Sequence, residues 1–221
     1  MTKGIFLAGN DSALSRAVEN EIAKRADPFA AALVPNRLSA AQKNIPPEMA
    51  QRLPLEWNPS SPISARALAL AAENRLERID EAILVCSPPS IRSRASEIPF
   101  SDVEIMINDH IKGWFYIVRE LTEIFKNRGS GTLALVYTDI SSSGKNDTAD
   151  VLGPSAAASF RALANGLLSS AHKEPYITVG FSGSDTGNET AFAAYIFKNL
   201  DDLTARSKGK LFKFGKFNFF K

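Results

Sequence analysis

Residues 9–12, Gly9-Asn10-Asp11-Ser12, are the first place where this chain could do chemistry. They follow a short apolar run, Ile5 to Ala8, that reads as a buried strand. Behind them Leu14, Val18 and Ile22 fall four apart, so one side of a helix is buried. A tight turn feeding a helix leaves free N–H groups at the helix start, and these can hold a phosphate. Strand, turn and helix in that order also open dinucleotide-binding folds. Any strand–helix unit shares the outline, and this turn keeps one glycine. Farther on, Arg37 follows a second apolar run, Phe29 to Val34. A basic residue there can face an adenosine ribose or its 2′-phosphate. A solvated arginine opening a helix accounts for it equally well. His110, one of two histidines, could titrate near neutral pH.

Other chemistry is excluded by what the chain lacks. Its single cysteine, Cys86, rules out an internal disulfide and a cysteine-rich metal site, and suits a reducing compartment. Two histidines argue against a histidine-based zinc site, so no metal is expected. A net charge of +2 gives no bulk attraction to nucleic acid or an anionic membrane. No apolar run approaches a membrane span, and charged residues interrupt the opening helix where a signal peptide would be apolar. The expectation is a cytoplasmic protein.

The elements that must position these residues alternate regularly. Further strands are expected at Leu55–Trp57, Ala82–Val85, Thr132–Thr138, Ile177–Phe181 and Lys210–Phe214. Helices are expected from Ser61, over residues 101–126 with an apolar stripe of Ile107, Ile111, Phe115, Val118 and Phe125, over 155–171, and over 190–200. Residues 44–54, with three prolines, read as loop. Strands alternating with helices imply an α/β fold, a doubly wound parallel sheet of about seven strands with helices on both faces. At 221 residues, with no internal repeat and no composition break, the chain reads as one domain over 1–221.

Taken together, these fragments resemble the short-chain dehydrogenase/reductase family over nearly the whole chain. The family opens with T-G-x-x-x-G-I-G-R-A. Here that stretch is Ala8-Gly9-Asn10-Asp11-Ser12-Ala13-Leu14-Ser15-Arg16-Ala17, which keeps the first glycine and replaces the others by Ala13 and Ser15. IDEAILVCSPP is similar to I-D-x-L-V-N-N-A-G and sets Cys86-Ser87-Pro88-Pro89 in the N-N-A-G place. HIKGWF is similar to N-L-K-G-x-F and places His110 at the active-site asparagine. GTLALVYT is similar to G-x-I-V-N-I-S-S and places Thr138 at the catalytic serine. The Tyr-x-x-x-Lys pair falls on Ala157 and Arg161. The resemblance implies a Rossmann-type sheet, NAD or NADP as cofactor, and a homodimer or homotetramer built on the helices over 101–126 and 155–171. It implies cofactor contacts from Gly9, Ser12, Leu14, Arg37, Glu56, Trp57, Cys86 and Ser87, and catalytic roles for Thr138, His110 and Arg161.

The departures fall on the chemistry. The family's tyrosine exchanges the proton at the substrate oxygen, and its lysine lowers that tyrosine's pKa. Ala157 has no titratable atom, and Arg161 cannot exchange a proton near neutral pH. Asp11 puts a negative charge where phosphates would sit, and Asp11 or Ser12 can cap the helix in a phosphate's place. Pro88-Pro89 supply no backbone N–H donors. The short loop at 182–190 leaves out the family's substrate lid. The expected function is therefore a family-like protein with a degenerate active site, non-catalytic or weakly nucleotide-binding, and oligomeric. The alternative is a divergent NAD(P)-dependent oxidoreductase acting on a carbonyl or alcohol through His110 or Thr138. Over 206–221, lysines alternate with Phe212, Phe214, Phe217, Phe219 and Phe220. These rings are expected to cover a core or a subunit contact, while the lysines discourage stray pairing at the sheet edge. A nucleic-acid contact is the less favoured use.

Overall fold

Apolar strands flanked by amphipathic helices fold here into one parallel sheet. The structure, a computed structural model, describes residues 3–26, 29–35, 52–138, 150–184 and 187–215. Its seven strands are β1 (Ile5–Asn10), β2 (Phe29–Val34), β3 (Arg52–Pro54), β4 (Glu81–Cys86), β5 (Thr132–Thr138), β6 (Ile177–Gly183) and β7 (Leu211–Phe214). They lie in the order β3-β2-β1-β4-β5-β6-β7, every neighbour parallel. The order reverses between β1 and β4. That places a crevice at the carboxyl ends of these two strands, where doubly wound folds hold their ligands.

Both faces of the sheet are covered, which is why its central strands are apolar throughout rather than alternating. Phe6, Ala8, Ala82, Leu84, Leu133 and Leu135 point toward α2 (Pro62–Leu76), α4 (Gly113–Arg128) and α5 (Leu152–Ser170). Ile5, Leu7, Ile83, Val85, Ala134 and Val136 point toward α1 (Ala13–Ala23) and α6 (Glu189–Asp201). Local chemistry sets the helix ends. Ser61 Oγ accepts the Ser64 N–H at 3.2 Å, and Pro62 occupies the first turn of α2. Gly129 closes α4 in the left-handed region, φ 74°.

Three expectations need correction. The edge strand is β3 at Arg52–Pro54, within the expected loop, and Leu55–Trp57 follow it outside any regular element. Three residues paired on one side with β2 have no apolar run to announce them. The long helix is not uniform. It consists of α3 (Phe100–Ile107), a π turn over Asn108–Lys112, and α4. A π turn holds an extra residue and rotates the rest of the helix by about 100°. The predicted stripe is therefore broken: Ile107 is 41% and Phe115 51% exposed, while Met106, Trp114, Ile117 and Leu121 are buried. Lastly, α5 begins at Leu152, three residues before the expected start, with Gly153-Pro154 in its first turn.

One buried charge sets a pH dependence. Glu81 opens β4, is 3% exposed, and pairs with Lys3. Burial raises its pKa above the ordinary carboxylate value, with the Lys3 contact opposing. A raised folded-state pKa gives stability that is complete below the unfolded pKa and is lost as pH rises through the folded value. Glu81→Gln should therefore raise the melting temperature at about pH 7, with the gain vanishing near pH 4. Thermal melts of both proteins across that range check it. An equal shift at both ends would contradict the burial argument.

Candidate functional site

The β1–α1 turn lies at the carboxyl end of β1, beside the crevice. Gly9 is the next-to-last residue of β1, and a Cβ there would stand 2.9 Å from Val85 O and 3.1 Å from Ser15 Oγ. The glycine is thus needed for β1 to approach both β4 and α1. Ser15 is fully buried beneath the turn, with its Oγ 3.0 Å from Ser12 Oγ. Ser12 is the N-cap of α1 and accepts the Ser15 N–H at 3.1 Å. One of the N–H groups a phosphate would use is already satisfied. Leu14 lies with its side chain in the core, 2% exposed.

Asp11 adds a charged pair to this turn. Arg16 donates from Nε to Asp11 Oδ1 at 2.7 Å and from Nη2 to Asp11 Oδ2 at 2.9 Å, a bidentate arrangement. Arg16 also lies 3.6 Å from Glu19. Its hydrogen bonds to Asp11 raise its pKa above the ordinary value. The Asp11 N–H donates to Val34 O at 2.8 Å, which ties the turn to β2. Asn10 closes the crevice from the other side. Its Oδ1 accepts the Ser87 N–H at 3.1 Å and its Nδ2 donates to Ser87 O, so both backbone groups of Ser87 are engaged. Asn10 is 6% exposed, and Cys86, at the end of β4, is buried at 1%. Burial pushes the Cys86 thiol far above its ordinary pKa, an effect that the Trp114 indole only partly offsets. It has no thiolate character.

At the other end of the crevice, Asp150 pins the segment after β4 to the start of α5. Its Oδ2 accepts the Ile91 N–H at 3.2 Å and its Oδ1 accepts the Gly153 N–H at 3.0 Å. An antiparallel bridge pairs Arg92 with Asp150. A Cβ on Gly153 would lie 2.9 Å from Pro89 O, so the first turn of α5 rests directly on this segment. Thr138 is the half-buried last residue of β5. His110 lies in the π turn and is 3% exposed. Ala157 is half-buried on α5, and Arg161 is exposed one turn later. The buried line of α5 is Gly153, Ala156, Phe160, Ala164 and Leu168.

Glu56 and Trp57 sit apart from these residues. With Leu33, Val34, Pro35 and Asn58 they line a cleft of about 450 Å³ beyond β2 and β3. That volume suits one ring system and its substituents. Glu56 is exposed at its rim, and Trp57 Nε1 is buried without an acceptor among the described residues. Arg37 lies outside the described residues. Among those described, no group of three or more His, Cys, Asp or Glu could hold a metal ion. No helix among them is long and apolar enough to cross a membrane.

Three contributors were not anticipated in these roles. The reach of Asn10 to Ser87 spans 77 positions, which no local pattern reports. The Asp11–Arg16 pair is five residues apart, off the usual helical spacings of three and four. Asp150 carried the best available signal, an aspartate just before a helix.

No protein-family model and no curated protein matches this sequence. Solved structures do match. A short chain dehydrogenase from Mycobacterium smegmatis aligns with a TM-score of 0.71 at 12% identity, covering 97% of this chain and 93% of that one. A short chain dehydrogenase from Bacillus anthracis gives 0.71 at 11%, covering 95% and 94%. Serine dehydrogenase from Escherichia coli gives 0.69 at 11%, covering 95% and 96%. Identities this low speak for the backbone alone, and over nearly the whole length of each chain that backbone is the short-chain dehydrogenase fold.

Proposed function

We propose that this chain has the dehydrogenase fold without its hydride-transfer chemistry, and works as a non-catalytic oligomeric protein that binds nucleotide weakly at most. The observation that carries this reading is the β1–α1 turn. A dinucleotide's pyrophosphate needs free N–H groups and no negative charge. Here Ser12 caps the helix, and Asp11 sets a carboxylate beside the same turn. These residues do not fit the pyrophosphate of NAD or NADP. The Asn10 clamp on Ser87 supports the same conclusion, because it uses the backbone groups at the end of β4. In the resemblance the position of the family's proton-donating tyrosine falls on Ala157, which has no proton to give.

The oligomeric part rests on exposed apolar side chains. Phe100 is 90% exposed, and Phe115 and Ile107 about half, on helices that flank α5. The outward side of α5 carries Ala158 and Ala162, small enough for close helix approach. A homodimer or homotetramer would cover these surfaces.

Fluorescence titration with NADH and NADPH, beside an oxidation assay over ketones, quinones and β-ketoacyl thioesters, tests the reading. The expected result is dissociation constants of about 1 mM or weaker and no turnover. Robust turnover, lost in His110→Ala or Thr138→Ala, would instead establish a divergent oxidoreductase. Sedimentation showing only monomer at micromolar concentration would remove the oligomer.

A further inference from the structure

A second surface has no place in the crevice chemistry. Between α2 and α4 runs a groove of about 430 Å³. Its floor is apolar, with Leu70 47% exposed and Ile124 half-buried. Glu73 and Glu123 stand along it and have no ion-pair partner among the described residues. Arg66 stands at one end. At the other, Arg128 donates to Ile79 O and Ser130 O, yet keeps Nη1 buried with no acceptor among the described residues. The groove therefore asks for apolar side chains to cover Leu70 and Ile124 and cations to meet the two glutamates.

The chain itself contains a segment of that chemistry. Residues 216–221 read Lys-Phe-Asn-Phe-Phe-Lys, three rings framed by two lysines and no acidic residue. The preceding rings are already in use. Phe212 stacks on Phe181 at 5.2 Å and Phe214 on Phe192 at 5.2 Å, both on the α1–α6 face.

The same molecule cannot supply this segment to its own groove. Phe214 ends β7, the sheet-edge strand, at the carboxyl end of the sheet and on the opposite face from α2 and α4. The groove lies over the middle of the sheet, and Arg128 is at the amino end of β5. Three strand spacings are about 14 Å, and a strand of this length adds about 20 Å at right angles. Beyond Phe214 the seven residues 215–221 reach about 25 Å fully extended, no more than this diagonal, so residues 216–221 cannot lie along the groove of their own molecule.

We propose that residues 216–221 of a second copy of this chain dock in the groove between α2 and α4. The lysines meet Glu73 and Glu123, and the phenylalanines cover Leu70 and Ile124. This does not depend on the state of the crevice, so a catalytic chain would keep it.

Fluorescence anisotropy of a labelled peptide spanning Lys210–Lys221, titrated with the full chain, is the test. Saturable binding is expected, weakened about tenfold or more in the Glu73→Lys/Glu123→Lys variant and by added salt. Both positions are at the surface, and circular dichroism verifies the fold of the variant. A peptide with glutamate in place of Lys216 and Lys221 should bind that variant and fail on the unmodified chain. Excess peptide should also dissociate self-associated protein in sedimentation. Absence of saturable binding, or binding indifferent to the charge reversal, overturns the proposal.

Discussion

Asn10→Ala combined with Asp11→Ser should bind NADPH at least about tenfold more tightly than the unmodified chain, a gain of about 1.4 kcal/mol. In the native turn Asp11 holds the Arg16 guanidinium by two hydrogen bonds, so its Nε and Nη2 hydrogens are taken and the nearer carboxylate opposes an approaching phosphate. Removing the carboxylate frees the Nε and Nη2 hydrogens of Arg16 beside the start of α1, with Glu19 at 3.6 Å as its remaining acidic neighbour. A full charge at about 4 Å is worth about 4 kcal/mol at an effective dielectric of 20, so a tenfold gain uses only part of it. Asn10→Ala adds a second effect by releasing the Ser87 N–H and C=O. Hydride transfer should remain undetectable, because Ala157 still supplies no proton. Positioned proton transfer contributes about a hundred- to ten-thousand-fold. Ala157→Tyr with Arg161→Lys alone should stay nearly inactive, and turnover should require both the pair and the opened turn. Unchanged NADPH affinity in the Asn10/Asp11 variant would show that the turn is not what limits binding.

How far the sequence reached is clearest at the strands and helices themselves. Residues 5–10, 81–86 and 132–138 are buried on both faces, so their apolar runs had no competing explanation. β3 was misplaced because three residues are too few to leave a pattern. The π turn was invisible for a different reason. Counting by four from Ile107 puts Ile111 and Phe115 on one face, and only the packing of Asp109 and His110 inward marks the extra residue. The site was legible where it depended on local residue type, as in Ser12 capping α1 and Gly9 at the close approach of β1 to β4. It was illegible where a side chain closes on backbone far along the chain, as Asn10 does on Ser87 and Asp150 on Ile91. Ser15 shows the limit from the other direction. Its replacement of a glycine reads as an obstruction to phosphate, yet the side chain lies buried beneath the turn, against Gly9.

Trp114→Ala should cost about 3–5 kcal/mol of folding stability, a large share of the about 5–15 kcal/mol that a domain holds. Trp114 is the largest fully buried side chain, 1% exposed, in the first turn of α4 after the π turn. It meets Phe160 of α5 edge-on at 5.0 Å and Trp57 at 5.7 Å, and Phe160 in turn meets Tyr137 of β5 at 6.1 Å. One ring therefore joins α4, α5, β5 and the wall of the Glu56–Trp57 cleft. Burying an aromatic of this size removes about 150–250 Å² from water, worth about 4–6 kcal/mol at 25 cal/mol/Å². The alanine leaves a cavity that surrounding helices fill only in part. Trp114→Phe keeps a ring and should cost about 1–2 kcal/mol. Urea unfolding followed by circular dichroism measures both. Cys86 gives an independent readout, since its thiol is held unreactive by burial next to this indole. Under conditions where the alanine variant remains folded, the cavity should speed Cys86 labelling by a thiol reagent well beyond the rate in the unmodified chain. A variant that loses less than about 1 kcal/mol, with Cys86 still protected, would show that the aromatic cluster does not hold these elements together.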